Sequence, residues 1–183
     1  MSSSHPHKTH TVISSREIYE GRVINLRVDE IEVKPGLNVR REVVSHPGAV
    51  VMLPIDAEGR ILWVRQYRYA AQRPLLELPA GTLEKGESPE ETARRELAEE
   101  VGFAAAHWEK LGGFYSAPGF CEEYLHAFVA TELTEQQAEG DEDEDIEVVP
   151  LTLEESMARI LAGEVEDAKS LATLLLYSQR RQG

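Results

Sequence analysis

The chain has 183 residues, 42% hydrophobic and 28% charged, which suits one domain with a substantial core and excludes a disordered composition. Its 19 Lys/Arg against 33 Asp/Glu give a formal charge of −14, which argues against a basic face for nucleic acid. The excess is local: residues 1–80 hold 11 basic and 9 acidic side chains, whereas residues 81–183 hold 8 and 24. A single cysteine, Cys121, excludes an internal disulfide framework and suits a reducing compartment. No apolar run approaches the roughly 18 residues of a membrane span, and the first residues lack an apolar targeting segment. These features lead us to expect a cytoplasmic protein that binds neither membrane nor nucleic acid.

Residues 1–11, with His5, His7 and His10, read as a polar tail. Leu26–Val33 and Val39–Val44, separated by Pro35-Gly36, read as a β-hairpin too small to stand alone. Ala49–Ile55 and Arg60–Gln66 flank the turn Asp56-Ala-Glu-Gly59, and the apolar Leu75–Leu78 runs into Pro79-Ala80-Gly81. Ser88-Pro89-Glu90-Glu91 predicts a helix start, with Ser88 as N-cap, Pro89 at the first helical position and Glu91 closing a capping box. Ala93, Leu97 and Val101 recur along one face, and Gly102 is the predicted stop. Strands are expected at Leu111–Tyr115, Tyr124–Ala130 and Ile146–Val149. Helices are expected at Leu153–Ala162, after a Thr152-x-x-Glu155 box, and at Ala168–Arg180, after Asp167. Strands and helices mix without strict alternation, which predicts an α+β fold or a mixed-sheet sandwich. The division we expect is a tail over 1–11, a hairpin region over 12–45 and a main domain over 46–183.

Two segments carry most of the net negative charge: Glu84–Glu100, with seven acids and three bases, and Glu139–Glu147, with seven acids and no base. On an ideal helix Glu96, Glu99 and Glu100 fall within about 100° of arc. Like charges so placed cost a few tenths of a kcal/mol per pair on an exposed helix, so something must offset them. One offset is solvent with Arg95, paired to Glu99 or Glu91. The other is a hard divalent cation, which takes carboxylate oxygens and keeps waters for a phosphate substrate.

Gly81, five residues, Glu87, seven residues and then Arg95-Glu96-Leu97-Ala98-Glu99-Glu100-Val101-Gly102-Phe103 resembles the Nudix box at every specified position. Val64-Arg65-Gln66-Tyr67-Arg68, Leu76-Glu77-Leu78-Pro79-Ala80-Gly81, Ser116-Ala117-Pro118-Gly119, the acidic loop from Asp141 to Ile146 and Gly163–Ser170 resemble the ADP-ribose pyrophosphatase branch of that family. Ala117 departs from the serine usual before that proline.

The resemblance implies the Nudix fold, an α/β/α sandwich on a mixed sheet. It also implies a homodimer whose N-terminal region swaps onto the partner. The implied activity is hydrolysis of ADP-ribose to AMP and ribose 5-phosphate with Mg²⁺ or Mn²⁺. Alternatives are another nucleoside diphosphate sugar such as GDP-mannose, an oxidised nucleoside diphosphate, or a catalytically silent nucleotide-binding module. The implied metal ligands are Glu96, Glu100 and the carbonyl of Ala80, with Glu99 on the same face. Arg95 orients those carboxylates, and Glu87 fixes the loop. Glu142 is the implied base and Glu144 the second choice. Arg68, Glu77 and Glu123 are the implied substrate residues, joined by Arg41 from the partner subunit. Arg22 stands where the family often stacks an aromatic on adenine.

Overall fold

The computed structural model describes residues 10–136 and 145–181. It divides into two compact units, one comprising residues up to His46 with Ala117–Glu123, the other Pro47–Ser116 and Tyr124 onward.

In the first unit, β2 (Asn25–Lys34) and β3 (Leu37–Ser45) form the anticipated hairpin. A further strand that patterning did not announce, β1 (Thr11–Glu20), pairs antiparallel with β2 and starts inside the segment read as tail. It is exposed along its whole length, so it lacks the one-sided apolar alternation by which a half-buried strand is recognised. Residues 117–123 join this sheet: the Val44 N–H donates to the Phe120 carbonyl (2.7 Å), and the Glu122 N–H donates to the Val44 carbonyl (2.9 Å). Arg27 then ties the loop down, donating through Nη2 to Glu122 (2.5 Å) and through Nε to the buried Asp29 (3.1 Å).

The second unit is built around β4 (Ala49–Pro54), which is buried at every position. Ala49, Val51 and Leu53 enter a cluster with Trp63, Leu78 and Leu174, while Val50 and Met52 enter another with Ala93, Leu97 and Phe128. A strand covered on both faces needs a continuous apolar run, which is what residues 49–53 supply. One sheet has the order β7-β4-β9-β8, with β7 (Ala80–Thr82), β9 (Tyr124–Glu135) and β8 (Phe103–Tyr115); β4 and β9 are parallel and the other pairs antiparallel. The other is antiparallel, in the order β10-β5-β6, with β5 (Ile61–Arg68), β6 (Arg73–Glu77) and β10 (Ile146–Leu151). Residues from α1 (Pro89–Glu96) pack into the second cluster, and residues from α2 (Leu153–Leu161) and α3 (Ala168–Arg180) into the first. The result is the expected α+β arrangement of helices on both faces of mixed sheet.

Both predicted capping boxes form. Ser88 Oγ accepts from the Glu91 N–H while Glu91 accepts from the Ser88 N–H, and Thr152 and Glu155 repeat the exchange. α1 does not run unbroken to Val101: Leu97–Val101 forms a π-helical turn, closed by Gly102 in the left-handed region at φ 78°. A π turn adds a residue to the repeat, so Glu99 and Glu100 do not follow the ideal 3.6-residue spacing.

Candidate active site

The site grows from one short stretch, Glu77-Leu78-Pro79-Ala80-Gly81, which links β6 to β7. β7 pairs with β4, Gly81 opposite Val50 and Ala80 opposite Val51. The Pro79 carbonyl accepts from the Met52 N–H (2.9 Å), so the stretch is fixed to the core strand. Its outer face receives the carboxylates of the helix. The Ala80 N–H donates to Glu100 Oε2 (2.9 Å), and Glu100 is only 7% exposed. Glu96 lies over Gly81 so closely that a β-carbon there would stand 1.9 Å from its carboxyl carbon. Glycine is required at 81 by this close approach, since its backbone is not in the left-handed region.

Arg95 is the hub of the box. Nη1 donates to Glu96 (2.8 Å) and Glu99 (2.9 Å), while Nε and Nη2 form a fork on Glu87 (3.1 Å each). Both readings of Arg95, pairing with Glu99 and orienting the box carboxylates, meet in this one side chain. The Arg95 fork, with a hydrogen bond from Thr92 Oγ1 (2.9 Å), holds the Glu87 carboxyl down to about 2. The Glu87 hydrogen bonds, followed by the Glu96 and Glu99 interactions, overcome burial and raise the Arg95 guanidinium further.

The Glu87 value predicts a pH dependence. It lies below the ordinary 4.5, so the folded chain binds fewer protons than the unfolded chain between about pH 4.5 and about 2. The resulting stabilisation is complete above that window and is lost as pH falls through it. Glu87→Gln should therefore lower stability at neutral pH and flatten the acid limb of the urea midpoint plotted against pH. Parallel acid limbs in the two proteins would contradict the assignment.

Deeper in the same unit lies a second charged group. Glu77, with a side chain 3% exposed, accepts from Arg68 Nη2 (2.7 Å) and Nε (3.1 Å) and from Lys169 Nζ (2.7 Å). Burial works against both charges, yet the two cations hold the Glu77 carboxyl below its usual range. Glu77, with Glu100 and Asp167 contributing charge, holds the Arg68 guanidinium above its own. The structure thus turns Glu77 toward Arg68 and Lys169 and leaves Arg68, at 38% exposed, as the member facing outward. The sequence pattern marks Asp167 as a helix start and singles out neither Asp167 nor Lys169 as a site residue.

The remaining predicted residues divide between the units. Leu97 is fully buried and Phe103 is packed against the same cluster, so both support the box from its apolar side. Arg22, between β1 and β2, and Arg41, on β3, are exposed in the first unit. Glu123, in the same unit, lies 3.9 Å from His46 Nε2. Glu142 and Glu144 lie outside the described residues.

The chemistry of the donor set decides whether a divalent cation fits. Among the described residues no three acidic, imidazole or thiolate groups converge as a ready-made cluster; Arg95 links Glu96 and Glu99. Yet Glu96 and Glu100 both reach the Ala80-Gly81 backbone, and the donors are hard oxygens backed by a fixed cation. That set fits Mg²⁺-type coordination, in which one or two carboxylates and a carbonyl suffice beside water and phosphate.

The NUDIX domain family model matches residues 45–174. The chain belongs to the Nudix family. Nudix hydrolases generally use divalent metal ions. Among its relatives, the Bacillus subtilis (strain 168) protein named ADP-ribose pyrophosphatase is 44% identical over 172 residues, covering 93% of this Nudix chain and 92% of its own. A Bacillus methanolicus protein named methanol dehydrogenase activator is 42% identical, covering 87% of each. The Mycobacterium tuberculosis protein named ADP-ribose pyrophosphatase is 39% identical, covering 89% and 80%. The solved structure of a protein described as an ADP compounds hydrolase superposes with a TM-score of 0.86 at 25% identity, covering 98% of this chain and 99% of that one. No helix among the described residues is long and apolar enough to cross a membrane.

Proposed function

We propose that this Nudix protein hydrolyses ADP-ribose to AMP and ribose 5-phosphate, with Mg²⁺, or Mn²⁺ in its place, as the metal. The observation that carries this reading is the intact box: Glu96 and Glu100 meet at the Ala80-Gly81 backbone, with Arg95 bracing the carboxylates. The relatives named ADP-ribose pyrophosphatase support the choice of substrate over GDP-mannose or an oxidised nucleoside diphosphate. A catalytically silent module has no need of a complete carboxylate set.

Glu96, Glu100 and the Ala80 carbonyl would hold the cation, with Glu99 beside them. When bound, it neutralises charge on the diphosphate and lowers the pKa of water. The protein's own groups do the rest. The outer edge of the Arg68 guanidinium binds phosphate oxygens, a task suited to its planar fork. Water oxygen forms a new bond to one phosphorus, the P–O–P bridge breaks, and the water proton passes to Glu142, the base we assign, with Glu144 supporting the metal. Arg22 stacks on adenine, Glu123 contacts the adenosine or the far ribose, and Arg41 enters from the partner of a homodimer formed through residues 12–45. The lone Cys121 suits a cytoplasmic setting.

A panel of ADP-ribose, GDP-mannose and an oxidised nucleoside diphosphate, ranked by kcat/KM, tests the substrate. ADP-ribose should lead; a clear preference for GDP-mannose would overturn the reading. Glu142→Gln should lower kcat about 10²–10⁴-fold, the range of general-base catalysis, and leave metal affinity within about twofold. If only Glu144→Gln does so, Glu144 is the base. Activity should fall on dilution below the dimer constant, and full activity of a proven monomer would remove the shared site.

A further inference from the structure

The first turn of α3 fastens two parts of the site at once. Asp167 caps the helix, accepting from the Lys169 and Ser170 N–H groups (3.2 and 3.1 Å). Ser170 Oγ donates to Asp167 and accepts from the Leu78 N–H (2.7 Å), which holds the strand just before Pro79-Ala80. Lys169 Nζ reaches Glu77 (2.7 Å) and Asp167 (3.0 Å), with a side chain only 15% exposed. Glu77 therefore meets one cation from the helix and another, Arg68, from β5.

Glu77 and Asp167 face Arg68 and Lys169, so the group is balanced in charge, and what Lys169 adds at Glu77 beyond that balance is position. Arg68 is long, and its unrestrained side chain has rotamer entropy to lose on ordering around an anion. Glu77 can prepay that ordering only if its own carboxylate is fixed. Lys169 fixes it from a helix turn that is itself capped and pinned. The Arg68 fork then spends Nε and Nη2 on Glu77 and directs its remaining edge outward.

We propose that Lys169 is a positioning residue for substrate: acting through Glu77, it holds the Arg68 guanidinium ready for the diphosphate. This rests on the reading that Arg68 binds the diphosphate. It assigns the Asp167-x-Lys169-Ser170 segment a task in substrate binding, beyond starting a helix. The order imposed on Arg68 contributes mainly to binding, so its loss should appear in KM before kcat.

The test is a double-mutant cycle with ADP-ribose on the full chain, using Lys169→Met, Arg68→Ala and the pair, with Lys169→Arg as the conservative variant. Lys169→Met should raise KM about tenfold with kcat within about twofold, and Lys169→Arg should restore KM to within about threefold. In the Arg68→Ala background, Lys169→Met should add less than about twofold, because the group it positions is gone. Thermal melts accompany each variant, and Lys169→Gln replaces the methionine variant should that one not fold. A merely structural lysine would lower kcat as much as it raises KM, and would do so with or without Arg68; either result overturns the proposal. A KM rise below about fivefold does so too. Should Arg68→Ala itself leave KM unchanged, the assignment of Arg68 to the diphosphate fails and takes this proposal with it. Failure of Lys169→Met beside a large Arg68→Ala effect removes only the role of Lys169.

Discussion

Glu100→Gln is expected to lower kcat about a thousandfold, corresponding to about 4 kcal/mol of transition-state stabilisation, with little change in the melting temperature. Glu100 accepts from the Ala80 N–H (2.9 Å), and glutamine at the same place offers a carbonyl oxygen to that donor. The strand and the π-helical turn are therefore kept, and the Ala80 N–H keeps an acceptor. What disappears is the negative charge, and with it a hard anionic oxygen at the Ala80 backbone. A neutral amide is a poor substitute where a divalent cation must be held against competition from water. The measurement is a pair of titrations, metal against activity and metal against melting temperature. The variant should need far more metal for residual turnover and gain little thermal stability from it. Unchanged kcat would remove Glu100 from the metal set.

Gly81→Ala should have the second large effect, and for a different reason. The new β-carbon would stand 1.9 Å from the Glu96 carboxyl carbon and 2.0 Å from its Oε1. One of the two groups must give way. The backbone at Gly81 is paired with Val50 on the fully buried β4, whereas the Glu96 carboxylate is the far end of a flexible side chain. The carboxylate therefore moves, at modest cost to the fold. Displacing a reacting or ligating group by about 1 Å can cost about 10²-fold in rate, and that is the loss expected in kcat/KM. Arg95 also donates to Glu96, so its hold on Glu99 should loosen in the same variant. A melting temperature within a few degrees of the parent, beside a hundredfold loss of kcat/KM, is the expected signature. Full activity would show that Glu96 does not need its place over Gly81.

These two positions show why much of the site could be read from the sequence. Arg95, Glu96, Glu99 and Glu100 lie on one continuous helical run, with Glu87 just before its cap, and a helix converts spacing into an approximate direction. The capping boxes at Ser88 and Thr152 are likewise local, with donor and acceptor three residues apart. The continuous apolar run of β4 announces a strand covered on both sides, because a one-sided strand would alternate.

What the sequence did not disclose depends on distant partners or on backbone detail. Lys169 and Glu77 are 92 residues apart, and no local pattern links them. β1 carries no apolar alternation to mark it as a strand. The π-helical turn over Leu97–Val101 changes the positions of Glu99 and Glu100 without altering the letters. The charge asymmetry proved informative in part: the helix segment contains the braced carboxylates, and Arg68 comes from the nearly neutral first 80 residues.

The central claim is that this Nudix chain cleaves the diphosphate of ADP-ribose using a cation held by the box carboxylates. The most direct test is ³¹P NMR of ADP-ribose incubated with metal-stripped protein, before and after Mg²⁺ is restored. No turnover is expected without metal, followed on its return by loss of the diphosphate signals with matched growth of AMP and ribose 5-phosphate. Persistence of the diphosphate signals with Mg²⁺ present, or equal turnover in its absence, would contradict it.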